Sequence, residues 1–310
     1  MPGSIIKIED IAFVRFRAPD LNQMRDFLQD FGLQITHQDE KRLFARGAEA
    51  SAVLHITERG EPGFVGLALR AASLDDLETL AMVEGVPIAP LDAPGGGQVV
   101  VLHDPDGHRV EVIAGQRATH ASPLPAHPRW NTASDRGRLR ELKRRAAGPS
   151  HVVRLGHCVL NVSDFRVSER WYKDRFGFIT SDEIALSPDL SVGAFLRCDR
   201  GDSPTDHHTL FILQSPRGPG FNHAAFEVAD LDDLMAGHDR LVSSGRKLEW
   251  GVGRHILGSQ VFDYWRDPWG NTLEHWTDGD LLAAADGSNI ASLQDLVGVQ
   301  WGPPAPPTMG

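Results

Sequence analysis

The chain repeats itself, and that repetition limits the folds open to it more than any other feature. Residues 11–20 (IAFVRFRAPD) and 155–164 (LGHCVLNVSD) each read as an alternating strand leading into a helix. Both helices end near a Phe-Gly pair, Phe31 and Gly32 in one case, Phe176 and Gly177 in the other. Residues 63–69 (GFVGLAL), ahead of Leu74, Asp75, Asp76 and Leu77, correspond to residues 220–226 (GFNHAAF), ahead of Leu231, Asp232, Asp233 and Leu234. A turn built on Asp104, Pro105 and Gly107 with Glu111 four residues later corresponds to Asp267, Pro268, Gly270 and Glu274. The order is the same in both halves, which marks an internal duplication rather than a short-period solenoid.

Each half divides again. In the second half, Leu155 to Val162 alternates as a strand and Asp164 to Phe176 is helical, with Val167/Trp171 and Tyr172/Phe176 at i,i+4. Strand-like runs follow near Phe178, from Ala194 to Arg197 and from Thr209 to Leu213. The pattern then restarts. Phe221 to Val228 alternates, Asp230 caps a helix with one apolar stripe (Leu231, Leu234, Met235, Leu241, Val242, with His238 at its edge), and Gly245 stops it. Further strands are predicted over Lys247 to Trp250, Gln260 to Trp265 and Thr272 to His275. The repeating unit is strand-helix-strand-strand-strand, occurring four times. The fold class is therefore α+β, four βαβββ modules paired into two barrel-like domains. The expected boundaries are 1–118 for the first pair of modules, 119–150 for a linker, 151–280 for the second pair and 281–310 for a tail. The linker carries Arg138, Arg140, Lys143 and Arg144 and is expected to hold a short solvated helix. The Pro-rich end, Trp301 to Pro307, is expected to pack little.

Composition narrows the function classes. A chain of 310 residues with 41% hydrophobic and 24% charged residues suits a globular protein of two domains. The apolar runs are short, so no membrane span is expected. The first residues, Met1 to Ser4, do not resemble a secretory signal. Cys158 and Cys198 are too few for a disulfide framework and read as buried thiols in a reducing cytoplasm. A formal net charge of -11 disfavours nucleic-acid binding.

One set of residues points to chemistry. His157 lies on the first strand of the third module, His223 at the matching point of the fourth, and Glu274 on that module's last strand. Two neutral imidazoles and one carboxylate on one face, with the opposite positions open, is the ligand set of a non-haem Fe(II) site. Alternate residues of a strand face the same way, so all three can point into one cavity. The first half is an internal control. Phe13 stands where His157 stands and Gly66 where His223 stands, while Glu111 remains opposite Glu274. A purely structural need for histidine does not explain that asymmetry, and the first half is expected to bind no metal.

The second half resembles the type I extradiol (catechol meta-cleaving) dioxygenases of the vicinal oxygen chelate superfamily. The resemblance is carried by residues 155–160 (LGHCVL), 207–209 (HHT), 221–226 (FNHAAF), 253–259 (GRHILGS) and 262–274 (FDYWRDPWGNTLE). The duplicated plan extends it over nearly the whole chain. The Asp-Pro-x-Gly-x-x-x-Glu piece belongs to the whole superfamily; His208, His255 and Tyr264 narrow it to the extradiol enzymes.

The resemblance implies the vicinal oxygen chelate, or glyoxalase-like, fold and an oxidoreductase of aromatic catabolism that opens a catechol-type diol with O2 as co-substrate. It implies Fe(II), with Mn(II) as an alternative, on His157, His223 and Glu274. It makes His208 the acid-base histidine and places His255 and Tyr264 against the substrate hydroxyls. Of the adjacent His207 and His208, one is expected to enter the cavity and His207 to lie outside. His275 is expected to point away. Val159, Phe195, Phe211 and Phe226 suggest an apolar pocket for aryl or alkyl catechols. The expected partners are a small-molecule catechol and copies of the same chain, with neither nucleic acid nor membrane. The alternatives are a glyoxalase-like isomerase or metal-dependent transferase on the same scaffold, and a small-molecule binding protein.

Overall fold

A computed structural model describes residues 3–126 and 129–308. The first half contains β1 (Ile8–Ala18), α1 (Leu21–Asp30), β2 (Gln34–Gln38), β3 (Arg42–Arg46), β4 (His55–Arg59), β5 (Gly63–Ala71), α2 (Leu74–Glu84), β6 (Ile88–Pro90), β7 (Gln98–His103) and β8 (Arg109–Ala114). The second half contains β9 (Val152–Val162), α3 (Phe165–Phe176), β10 (Ile179–Ser187), β11 (Leu190–Arg197), β12 (Thr205–Asp206), β13 (Leu210–Gln214), β14 (Gly220–Val228), α4 (Leu231–Ser243), β15 (Lys247–His255), β16 (Val261–Arg266) and β17 (Thr272–Thr277). The chain then adds β18 (Leu281–Leu282), β19 (Asn289–Ser292), α5 (Leu293–Val297) and β20 (Val299–Trp301). This is the α+β vicinal oxygen chelate arrangement of four βαβββ modules; the third carries the short β12 as an extra strand. No helix among the described residues is long and apolar enough to cross a membrane.

Local chemistry explains why the modules start and stop alike. Each module's helix follows its first strand after two residues and is capped by a side chain: Asp20 accepts from Asn22 N–H, Ser73 from Asp76 N–H, Asp164 from Val167 N–H and Asp230 from Asp233 N–H. Before the last strand of the second and fourth modules, an aspartate closes a tight turn. Asp104 Oδ1 accepts from the Asp106 and His108 N–H groups, and Asp267 Oδ1 from those of Trp269 and Asn271. Gly107 (φ 86°) and Gly270 (φ 92°) supply the left-handed residue each turn needs. These turns set the register of β8 and β17, and so the direction in which Glu111 and Glu274 point.

The first sheet runs β2-β3-β4-β1-β5-β8-β7-β6 and the second β19-β10-β11-β13-β9-β14-β17-β16-β15-β20. In both, the first strands of paired modules meet antiparallel at the centre, β1 with β5 and β9 with β14, and each is flanked by a parallel last strand. One face of each sheet carries the helices. The core on that side is continuous across the two halves and includes Phe27 and Phe31 from α1 and its end, Phe165 and Tyr172 from α3, and Leu234 and Leu241 from α4. Phe31 is one stitch between halves: its ring lies edge-on to Phe226 and stacks on His275 at 3.8 Å, and its carbonyl faces His275 Nε2 at 2.7 Å. His275 thus points away from the cavity, as expected. Asp30 adds ion pairs to Arg240 and Arg246.

Two expectations need correction. Among the described residues of 119–150 there is no helix. The basic side chains there pair with the acidic start of α4 instead: Lys143 with Asp232, and Arg145 with Asp230 and Asp233. Opposite charge at a helix N-terminus, already rich in carboxylates, holds the segment extended. The end of the chain also packs. β19 pairs with β10 and β20 with β15, and the Trp250 indole N–H donates to Pro303 O at 2.9 Å. Prolines that cannot donate still offer carbonyls, and an edge strand accepts them.

All seven tryptophans lie at residue 130 or beyond, so tryptophan emission reports only the linker and second half. Phe31→Ala, in the first half, is expected to lower the stability read by that emission in urea by about 3–5 kcal/mol. An unshifted tryptophan transition would show that the halves unfold independently.

Candidate metal and catalytic site

The opposite, concave faces of the two sheets differ. In the first half it is filled by Phe13, Phe44, Val53, Ile56, Val99 and Ile113. In the second it holds the histidines. His157 on β9 pairs with Ala225 on β14, Ala225 with Glu274 on β17, Glu274 with Tyr264 on β16, and Tyr264 with Trp250 on β15. These residues form one row across the sheet. His223 stands two residues before Ala225, so its side chain shares that face. The small Ala225 leaves room for the imidazoles on either side to approach the carboxylate.

His157 Nε2 and His223 Nε2 each lie 3.3 Å from the same oxygen, Glu274 Oε2, and one ligand atom from each residue falls within 4.8 Å of the others. Glu274 is fully buried, and neither of its oxygens has a hydrogen-bond partner. A buried carboxylate left this way costs several kcal/mol unless a cation joins it, about what is lost on breaking a buried ion pair. Two imidazole nitrogens and a carboxylate oxygen are a fitting donor set for a divalent transition metal. The support behind the ligands fits as well. His223 Nδ1 faces Asn222 Oδ1 at 2.8 Å, and Asn222 Nδ2 donates to Asn161 Oδ1 at 3.2 Å. That contact places the His223 proton on Nδ1 and turns the Nε2 lone pair to the carboxylate. Behind His157, the Trp276 indole packs so close to Gly156 that a side-chain carbon there would sit 2.5 Å from the ring.

The other three sequence-predicted residues converge on the same space. His208 lies beside His157 with ring centroids 4.0 Å apart. His255 Nε2 is 2.9 Å from the Tyr264 hydroxyl and 3.9 Å from Glu274 Oε1, and Tyr264 is edge-on to His223. His255 is the last residue of β15. Burial governs the protonation of these groups. It pushes His157 and His208 below the ordinary histidine value, His208 well below with help from the neighbouring His157, His207 and His223. It brings His255 down to about 4, against the pull of Glu274. Burial and the nearby Glu274 raise the Tyr264 phenol well above its usual value. Burial also works to raise Glu274, but the facing imidazoles of His157 and His223 hold it well below the carboxylate range. The shifted imidazoles are thus neutral, the form that ligates metals and accepts protons.

The walls are apolar. Val159, Phe195 and Phe211 line the cavity as expected, with Phe195 stacked on Phe211 at 4.0 Å. Phe226 does not; the alternation of β14 sends it to the helix side, against Phe31. Sequence reasoning missed one wall of the cavity and the burial of one neighbour. Leu296, Val297 and Ala305 of the C-terminal segment, whose Pro-rich end was expected to pack little, close one side. His207, expected outside, is 4% exposed. The His207-His208 pair precedes β13 in an irregular stretch, so strict alternation does not apply.

The first half keeps the third ligand position and satisfies it differently. Phe13, Ala68 and Glu111 occupy the row of His157, Ala225 and Glu274. The Arg15 guanidinium grips both oxygens of Glu111, at 2.8 and 3.1 Å, and Arg109 adds a third bond at 2.9 Å. An internal cation therefore neutralises the duplicated carboxylate.

Residues 154–275 match the family model described as the Glyoxalase/Bleomycin resistance protein/Dioxygenase superfamily. The chain is 28% identical to Metapyrocatechase 2 of Cupriavidus necator, covering 96% of this chain and 90% of that protein. It is 24% identical to the Iron-dependent extradiol dioxygenase of Rhodococcus jostii (strain RHA1), covering 96% and 97%. Among solved structures, the Mn(II)-bound glyoxalase from Novosphingobium aromaticivorans superposes with a TM-score of 0.80 at 25% identity, covering 98% of this chain and 94% of that one. The fold is the glyoxalase-like, or vicinal oxygen chelate, fold. Residues 154–275 carry the match to that superfamily, and the two relatives that span nearly the whole chain are named as a metapyrocatechase and an extradiol dioxygenase.

Arg15→Met would leave Glu111 buried beside a single guanidinium. The expected loss is about 3–5 kcal/mol of stability in chemical denaturation. The double variant Arg15→Met/Glu111→Leu should recover most of it; a double variant as unstable as the single one would contradict this pairing.

Proposed function

We propose that this protein is an extradiol dioxygenase, an oxidoreductase that opens a catechol-type aromatic diol with O2 at a non-haem metal. The carrying observation is the buried, unpartnered Glu274 carboxylate facing His157 and His223, with His208, His255 and Tyr264 around the same space. His157, His223 and Glu274 are the metal ligands in this reading. Fe(II) is the preferred ion, in keeping with the name of the R. jostii relative, and Mn(II) is the alternative, in keeping with the glyoxalase structure. Bound there, the ion would supply Lewis acidity for the diol oxygens and a meeting point with O2.

The chain's own groups then divide the work. A neutral His255 accepts the Tyr264 phenol proton in their 2.9 Å hydrogen bond, which leaves the Tyr264 oxygen free to accept from a diol hydroxyl. This pair orients the diol and takes part in removing its proton. His208, on the other side of His157, is placed to hold a proton and deliver it to the oxygen that leaves during ring opening. Phe195, Phe211 and the C-terminal segment exclude water from these transfers.

Apart from Glu274 itself, no Lys, Arg, Asp or Glu is among the described residues lining the cavity. An uncharged catechol with an apolar substituent is therefore the proposed substrate class, since a carboxylated ring would enter without a counter-charge. Association with further copies of the chain and a cytoplasmic location complete the proposal. The first sheet ends in β2 and β6, whose outer edges find no strand partner within the described residues. The structural likeness to a glyoxalase supports one second reading, an isomerase that uses the metal without O2.

Two measurements test these readings. Anaerobically prepared protein should hold about one Fe or Mn ion per chain and consume O2 on addition of a diol, with the yellow colour of a ring-opened product. Glu274→Gln should reduce metal content by about 10-fold or more, as loss of a ligating charge implies. Metal retention by that variant would remove Glu274 from the ligand set, and metal-replete protein without O2 uptake on any diol would favour the isomerase. In the second measurement, kcat/KM for a 3-alkyl or 3-aryl catechol should exceed that for a carboxylated catechol by about 10-fold or more, the scale of burying one uncompensated charge. A preference for the carboxylated compound would defeat the apolar-pocket assignment.

A further inference from the structure

His207 and Asp182 have no part in the site described above, yet they are buried against it. Asp182 on β10 is 6% exposed, His207 4% and His208 3%. His207 Nε2 lies 2.7 Å from Asp182 Oδ2, and His207 Nδ1 lies 3.2 Å from His208 Nδ1. The main chain at this point is pinned from both sides. His207 N–H donates to Asp280 O at 2.9 Å, and the Ser181 hydroxyl donates to His207 O at 2.6 Å. The Arg197 guanidinium in turn holds Ser181 Oγ at 3.0 Å. The Phe195 ring flanks both imidazoles, with centroids 5.2 and 4.8 Å away. This is a supported chain of three polar groups ending at the cavity.

Hydrogen-bond logic assigns its protons. A carboxylate only accepts, so His207 carries its proton on Nε2. With one proton on each ring, His207 Nδ1 is then an acceptor, and the contact to His208 requires His208 to donate from Nδ1. The nitrogen His208 leaves to the cavity is therefore a bare Nε2. We propose that Asp182 and His207 are positioning residues that fix the tautomer and orientation of His208. The proposal rests on the dioxygenase reading for its catalytic meaning. Under that reading, His208 enters the cycle as an acceptor. It must take up the proton of a diol hydroxyl at Nε2 before it returns one to the oxygen that leaves, so the proton count of the ring is restored at turnover.

The tautomers are readable without turnover. Full-length protein labelled with 15N-histidine and loaded with diamagnetic Zn(II) should show His207 protonated at Nε2 and His208 at Nδ1 in long-range 15N–1H correlation spectra. His207→Phe should leave His208 in mixed tautomers, lower kcat about 10- to 100-fold and leave KM for the diol and metal content near wild type. Should His207→Phe fail to fold, Asp182→Asn supplies the same comparison, with mixed His208 tautomers and a kcat loss of about 10-fold. Wild-type His208 protonated at Nε2 overturns the proposal. So does a folded variant with unchanged tautomers, or one with kcat within about twofold of wild type. Wild-type protein with the expected tautomers but no O2 uptake would instead sink the dioxygenase reading alone.

Discussion

The arrangement of the second half depends on one buried charge. Glu274 is fully enclosed on β17, and one of its oxygens faces the imidazole nitrogens of both His157 and His223 at 3.3 Å. Such a carboxylate is tolerable only if a positive charge completes it. The small Ala225 beside it, the Asn222 contact that turns His223, the Asp267 turn that sets the register of β17 and the apolar walls all serve to present that charge with one side open.

The duplication supplies a comparison within one molecule. Both halves place a glutamate at the same register point, and both must neutralise it. The first half does so with Arg15 and Arg109 and fills the remaining space with Phe13 and its neighbours. The second leaves the carboxylate to two imidazoles. The first half is not idle, however. Phe31 and Asp30 pack against β14, β17 and α4, so the sheet bearing His157, His223 and Glu274 leans on a domain that carries none of them. Loss of chemistry in one copy of a repeat is compatible with retention of its packing role, because the two depend on opposite faces of the sheet.

Much of this was legible in the sequence, and the parts that were not share a cause. The strand alternation, the caps at Asp164 and Asp230 and the Asp-Pro-x-Gly turns are local, so a one-dimensional pattern records them. His157, His223 and Glu274 were legible as a group because duplication aligned them. His207 stays out of the cavity lining as expected but is buried rather than exterior, because alternation was applied to an irregular stretch between β12 and β13. Phe226 was assigned to the pocket by its composition, although its position one step from Ala225 sends it to the other face. The terminal segment was read as unable to pack because proline lacks a donor, but its carbonyls and small side chains find β15 and Trp250.

The sequence by itself determined the four modules, their turns and the identity of the residues that meet at the cavity, because periodicity, capping and repeat alignment are properties of neighbours along the chain. Only the tertiary structure decided how those residues are finished. Arg15 reaches Glu111 across 96 positions, Trp250 reaches Pro303 across 53, and Asp182 reaches His207 across 25. Pairings at such separations are fixed by which surfaces exclude water together, and no local pattern states that in advance.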